Sequence, residues 1–259
     1  MSRTQATGAA IIALVVGFGL LGPLLVTADP ARQALSASLA APGEMGFLLG
    51  ADQYGRSMLS RLAHGARLSL AFAFVAALTA AVPGTLLGLL AAWHGGWVDR
   101  AIGLFADAVL ALPGLLLVLL LLAFAPGNVL ALYCGIALVL WVEFFRLTRA
   151  AAATVLARPQ VEAARMLGFG PAYILRVHVW PEIAAPLATL VAFAMGAAVL
   201  AVASFSAISV GLRPPTPEWG AMAVELLAHY HEAPVQLLLP AGCVALTVLG
   251  FQLLAAGRR

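Results

Sequence analysis

Across 259 residues the chain is 63% hydrophobic and only 10% charged, with a mean hydropathy of +1.02, which excludes a soluble domain because so much apolar surface would be left in water. Net charge is +3, and the fourteen basic residues are spread along the chain rather than gathered on a stripe, so a nucleic-acid surface is excluded as well. All fourteen are arginine; with no lysine, a Walker A loop, a Schiff base and a Ser-x-x-Lys nucleophile are ruled out, and if ATP drives this protein its P-loop sits on another chain.

A hydrocarbon layer about 30 Å thick takes roughly 20 apolar residues as a helix. That length predicts six spans: Ala9 to Ala28, Leu68 to Trp93, Ala101 to Ala125, Val129 to Phe145, Ile183 to Val210 and Val235 to Ala256. The first, with Arg3 before it and Val26-Thr27-Ala28 after it, also has the outline of a secretory signal. Five further spans favour its retention as an anchor.

An N-terminus in the cytoplasm places Arg3, Arg100, Arg146, Arg149, Arg158, Arg165, Arg176, Arg258 and Arg259 inside and Arg32, Arg56, Arg61, Arg67 and Arg213 outside. Nine against five follows the positive-inside rule and puts both termini in the cytoplasm. The outer segments hold Asp29, Glu44, Asp52, Glu218, Glu225 and Glu232.

Asp107 and Glu143 lie inside apolar runs, toward their cytoplasmic ends, where a mid-bilayer charge costs about 2.5 to 3.5 kcal/mol on insertion scales. Pairing with Arg100, Arg146 or Arg149 is the expectation, which makes Asp107, Arg146 and Arg149 structural or gating candidates. Cys134 and Cys243 sit in apolar runs as small hydrophobes with no disulfide expected.

Between the fourth and fifth spans lies a polar loop rich in arginine and alanine, too long for a simple turn. Pro159 to Gly168 reads as a short helix with proline at its start, Glu162 in the first turn and Gly168 as its stop. Ala163, Met166 and Leu167 share one face, and the pair Ala163-Ala164 permits close approach of a partner. A second short helix is expected from Pro171 to Val179, broken by Pro181 at the membrane.

Glu162-Ala163-Ala164, Gly168 and Pro181 resemble the signature loop of the permeases of binding-protein-dependent ABC importers. Further stretches are similar to the dipeptide, oligopeptide and nickel branch: Gly50-Ala51-Asp52-Gln53-Tyr54-Gly55-Arg56-Ser57 with Ser60-Arg61, Gly65-Ala66-Arg67-Leu68-Ser69-Leu70, Gly95-Gly96-Trp97-Val98-Asp99-Arg100, Asp107 with Ala111-Leu112-Pro113, and Pro214-Pro215-Thr216-Pro217-Glu218-Trp219-Gly220. Two departures stand out: Val202 to Gly211 lacks the acidic residue and Phe-Leu-Gly run of that branch, and Glu182 replaces its asparagine after Pro181.

The resemblance implies an all-α polytopic protein of about six transmembrane helices in the bacterial inner membrane, with the type I ABC importer permease fold. Residues 1–65 would be an N-terminal helix and periplasmic segment, and 66–256 the transmembrane core. Glu162, Ala163, Ala164, Met166, Leu167, Gly168 and Pro181 would form the ATPase-coupling loop, with Glu162 hydrogen-bonded at the joint. Asp52, Gly55, Arg56, Pro215, Pro217 and Trp219 would lie on the periplasmic face that meets a binding protein. Implied partners are a homologous permease, two ATP-binding subunits that hold ATP and Mg, a periplasmic substrate-binding protein and the lipid bilayer, with no nucleic acid.

The chain itself is expected to be no enzyme and to carry no cofactor. Cargo would be peptides, or nickel or a metal chelate. His229-Tyr230-His231-Glu232 invites a metal site, yet alternating histidines do not face one ion on a helix and no further ligands are evident, so no metal site is assigned. A stand-alone secondary transporter is the rival reading, and it would show inverted repeats, which the sequence lacks. His64, His94 and His178 are too dispersed for an enzyme site.

Overall fold

The computed structural model describes residues 2–26, 28–125, 128–212 and 214–256. Thr27, Arg213, Arg258 and Arg259, which enter the reading above, lie outside the described residues. The described chain forms α1 (Arg3–Leu25), α2 (Met58–His94), α3 (Gly96–Leu110), α4 (Gly114–Phe124), α5 (Val129–Leu156), α6 (Pro159–Met166), α7 (Pro171–Ile174), α8 (Trp180–Ala207), α9 (Trp219–Leu227) and α10 (Pro234–Ala256). Five segments are long and apolar enough to span a membrane: α1, α2, α5, the continuous helix Pro171–Ala207, and α10. The bent pair of α3 and α4 brings the number to six.

The central packing is between α2 and α5. Buried α2 residues recur as Ala73, Ala76, Ala77, Ala80, Gly84, Gly88 and Ala91, a stripe of small side chains along one face. A Cβ on Gly84 would stand 2.5 Å from the Trp141 carbonyl oxygen, and one on Gly88 would stand 2.8 Å from that of Phe145. In lipid, where apolar burial does not draw helices together, such close backbone approach supplies dispersion contact in its place. The first span, α1, lies along α10 and α2, and α8 packs on α10, α2 and α5.

Two expectations are corrected. The third apolar run is two helices bent by 77° around Ala111-Leu112-Pro113. Proline has no N–H to give and disfavours α geometry in the residue before it. Pro181, by contrast, does not end a helix: α7 runs through a π-helical segment, Leu175–Val179, into α8. In that segment the Trp180 amide donates to the Leu175 carbonyl, five residues back. The wider turn lets a residue without a donor enter the helix.

Candidate functional site

At one end of the bundle α6 projects from the foot of α5. Arg158 is its N-cap and Pro159 opens its first turn. The C-terminus closes as a Schellman motif: the Gly168 amide donates to the Arg165 carbonyl at 3.0 Å and the Phe169 amide to that of Ala164 at 3.1 Å, with Gly168 at φ +84°. That left-handed conformation is why glycine stands there.

Val161 and Ala164 are buried, whereas Glu162, Ala163, Met166 and Leu167 point outward, Met166 with 84% and Leu167 with 76% of its surface exposed. The alanine pair therefore splits: Ala163 faces out and Ala164 packs on its own chain. Among the described residues the Glu162 carboxylate has no ion-pair partner. Two ties hold α6 to the body, namely Arg165 over the Trp93 ring at 5.3 Å and Arg158 to Glu182 at 2.7 Å. Phe169 and Tyr173 stack at 4.2 Å just beyond it. Pro181, the last member of the predicted loop, lies within the long helix Pro171–Ala207.

The far end holds a set of four charges, three of them buried and the fourth, Glu225, part-buried at the edge of a cleft. Asp52 receives Arg56 Nε at 2.5 Å and faces Arg61 Nε at 3.3 Å; Glu225, on α9, lies 2.8 Å from Arg56 Nη2 and 3.5 Å from Arg61 Nη2. The backbone amides of Tyr54 and Arg56 donate to the other Asp52 oxygen, each at 2.9 Å. Trp219 Nε1 donates to the Leu62 carbonyl at 3.1 Å, and Glu218 caps α9 through the amides of Gly220 and Ala221.

Asp52, Arg56 and Trp219 are thus almost fully buried, as is Gly55, whose Cβ would fall 1.8 Å from the Ala34 carbonyl oxygen. These side chains stitch the segment before α2 to α9, because two arginines and two carboxylates can leave water only as a neutral, mutually bonded set. Of the residues predicted for that face, Pro215 is exposed and Pro217 half-buried. Sequence reading missed Glu225 as a partner of the arginines, since only the fold brings residues 56 and 225 together.

Midway, Asp107 pairs with Arg146 at 2.7 Å, as predicted, while Arg149 pairs with Asp99. Glu143 has no ion-pair partner among the described residues: it is exposed, and α5 continues to Leu156, so Glu143 occupies the middle of the helix rather than its end. His229 lies 3.5 Å from Glu232 and Tyr230 stacks on His231. No cluster of three or more metal-ligating side chains occurs among the described residues. Cys134 is exposed on α5, not buried, and both cysteines are free.

Five or six apolar helices long enough to span a bilayer, with an ion set at one end and a short helix with an open face at the other, define a polytopic membrane protein. The chain belongs to the family of binding-protein-dependent transport system inner membrane components, which its residues 84–256 match. It is 35% identical over 257 residues to the di/tripeptide transport system permease protein DppC of Pseudomonas aeruginosa, an alignment covering 97% of this chain and 85% of that one. The dipeptide transport system permease protein DppC of Haemophilus influenzae is 30% identical over 263 residues, covering 100% and 89%. The glutathione transport system permease protein GsiD of Pectobacterium atrosepticum is 34% identical over 211 residues, covering 82% and 70%.

In fold it is similar to a chain of the MetNI methionine ABC transporter in an inward-facing conformation, with a TM-score of 0.59 and 20% identity over 77% of this chain and 97% of that one. The protein is accordingly a multi-pass inner-membrane permease subunit of an ATP-driven importer, which implies ATPase and substrate-binding partners, and not a stand-alone transporter.

Proposed function

We propose that this chain forms half of the translocation path for di- or tripeptides, beside a homologous permease, above two ATPase subunits that bind ATP and Mg, and beneath a periplasmic binding protein. Relatives named for di/tripeptide, dipeptide and glutathione transport support peptide cargo. The nine-to-five arginine bias supports both termini, and α6, in the cytoplasm.

The observation that carries the coupling role is the outward face of Glu162, Ala163, Met166 and Leu167 on a helix whose opposite face is packed and whose end is fixed by Gly168. Two exposed apolar side chains beside an unpaired carboxylate suit a groove with a hydrogen-bond donor. ATP-driven closure of the ATPase pair reaches the membrane only through a rigid element of this kind. The peptide and the ATPases then act at separate sites on one two-state assembly.

Affinity purification of the assembled complex tests this. Met166→Asp should lower the ATPase subunits recovered with the permease at least tenfold, and Glu162→Ala should leave assembly in place while lowering peptide-stimulated ATP hydrolysis. Wild-type recovery, hydrolysis and import in both variants would refute the coupling role.

A further inference from the structure

Glu143 is the one carboxylate in the interior of the spans that has no ion-pair partner among the described residues; Asp107 and Asp99, on α3, are neutralised by Arg146 and Arg149. It opens into two adjoining clefts. One, of about 440 Å³, is bounded by Glu143 on α5, by Phe193, Gly196 and Ala197 on α8, and by Gln252 on α10. The other, of about 350 Å³, shares Glu143 and Ala197 and continues past Ser204 to α4. Both volumes fall within the range of small-molecule sites.

Such a face does not suit lipid. Glu143 and Gln252 are exposed, and the pair of Asp107 on α3 with Arg146, three residues after Glu143 on α5, exposes 68% and 52% of its side chains. Ionisable groups at this depth turn toward water or toward a countercharge. Nor does the face resemble a packed protein contact, because the small residues Ala194, Gly196 and Ala197 leave a hollow opposite the carboxylate. The rest of the lining is largely apolar, so Glu143 is the charge that sets the groove's electrostatics, and a water-filled groove of this kind attracts a cation.

Resting on the peptide-importer reading, we infer that this groove is the chain's water-filled share of the path and that Glu143 contacts the ammonium group of the passing peptide. The carboxylate accepts a charge-assisted hydrogen bond from that ammonium, and Gln252 and Ser204 offer neutral polar contacts on either side. The contact is transient: an importer's path must release what it holds.

The test uses the whole complex with its binding protein, reconstituted in vesicles. Glu143→Gln should lower import of a labelled dipeptide about tenfold, the loss of one hydrogen bond to a charged group. Glu143→Asp should retain most of the activity, with assembly unchanged in both. Equal import by Glu143→Gln and wild type would overturn the inference.

A second arm starts from a cysteine-free chain made by Cys134→Ala and Cys243→Ala. Glu143→Cys should react with a membrane-impermeant cationic thiol reagent, and saturating dipeptide should slow that reaction; Leu14→Cys, exposed on α1, should not react. A third reads the charge itself. Ala197→Cys should favour the cationic over the anionic reagent, and adding Glu143→Gln should reduce that preference several-fold.

An unreactive Glu143→Cys means that the groove is covered by lipid or by the second permease, and overturns the inference. If wild-type vesicles import no peptide, the peptide reading fails on its own, while the labelling still decides whether the groove holds water.

Discussion

Arg61 Nε lies 3.3 Å from Asp52, and its terminal nitrogens donate to Glu225 and to the carbonyls of Pro30 and Pro215, so one guanidinium ties the chain around Pro30 and Asp52 to the Pro215 loop and α9. Arg61→Ala leaves the buried Asp52 and the part-buried Glu225 facing one arginine, which should cost about 3 kcal/mol, the low end for breaking a buried pair, because Glu225 borders an open cleft and keeps some of its water. A drop in the thermal unfolding midpoint of the purified protein checks this, and Arg61→Lys should recover only part of it because an ammonium lacks the planar fork. A midpoint unchanged by Arg61→Ala would show that the set contributes nothing to folding. The motif residues Asp52, Gly55, Arg56 and Trp219 were legible as landmarks, but not their burial. Sequence pattern marks which residues are unusual, whereas the neutral set exists only once α9 brings Glu225 to Arg56. Asp107 with Arg146 could be foreseen because both lie at the same depth on neighbouring spans, and the isolation of Glu143 could not.

Among the elements, α2 and α5 show why span existence is easier to read than span limits. A window of apolar residues finds the part that meets lipid, so it begins α2 at Leu68 and ends α5 at Phe145, while the helices run from Met58 and to Leu156. The polar turns at each end are held by packing and caps: the Ser57 side chain accepts from the Ser60 amide at the start of α2. Continuous apolarity also hid the 77° break at Pro113, since hydropathy carries no information about backbone donors. The α2–α5 seam yields a sharper prediction. Gly88→Leu places a side chain where a Cβ alone meets the Phe145 carbonyl and Thr148, and no rotamer avoids the backbone. It should destabilise by at least about 1 to 3 kcal/mol and reduce the folded protein recovered from membranes. Gly17→Leu on α1, where a Cβ meets nothing within 4 Å, should leave recovery unchanged.

At the scale of the molecule, the two 37-residue helices, Met58–His94 and Pro171–Ala207, each extend about 55 Å, well beyond a hydrocarbon layer of about 30 Å. Both therefore connect the buried ion set at one end to the neighbourhood of α6 at the other, through Trp93 under Arg165 and through the π segment next to the Arg158–Glu182 pair. On the proposed reading, force applied to α6 enters the bundle along these helices, and the π segment is where the second can yield. A π segment holds one residue more than an α-helix of the same rise, so deleting the exposed Val177 restores α geometry without turning the flanks relative to each other. It also forces Pro181 into a regular helix, at about 3 kcal/mol of lost bonding and steric conflict. The deletion should leave the complex assembled and hydrolysing ATP while peptide import falls at least tenfold, measured side by side in reconstituted vesicles. Import at the wild-type rate would mean that the π segment only accommodates Pro181 and takes no part in transmitting motion from α6.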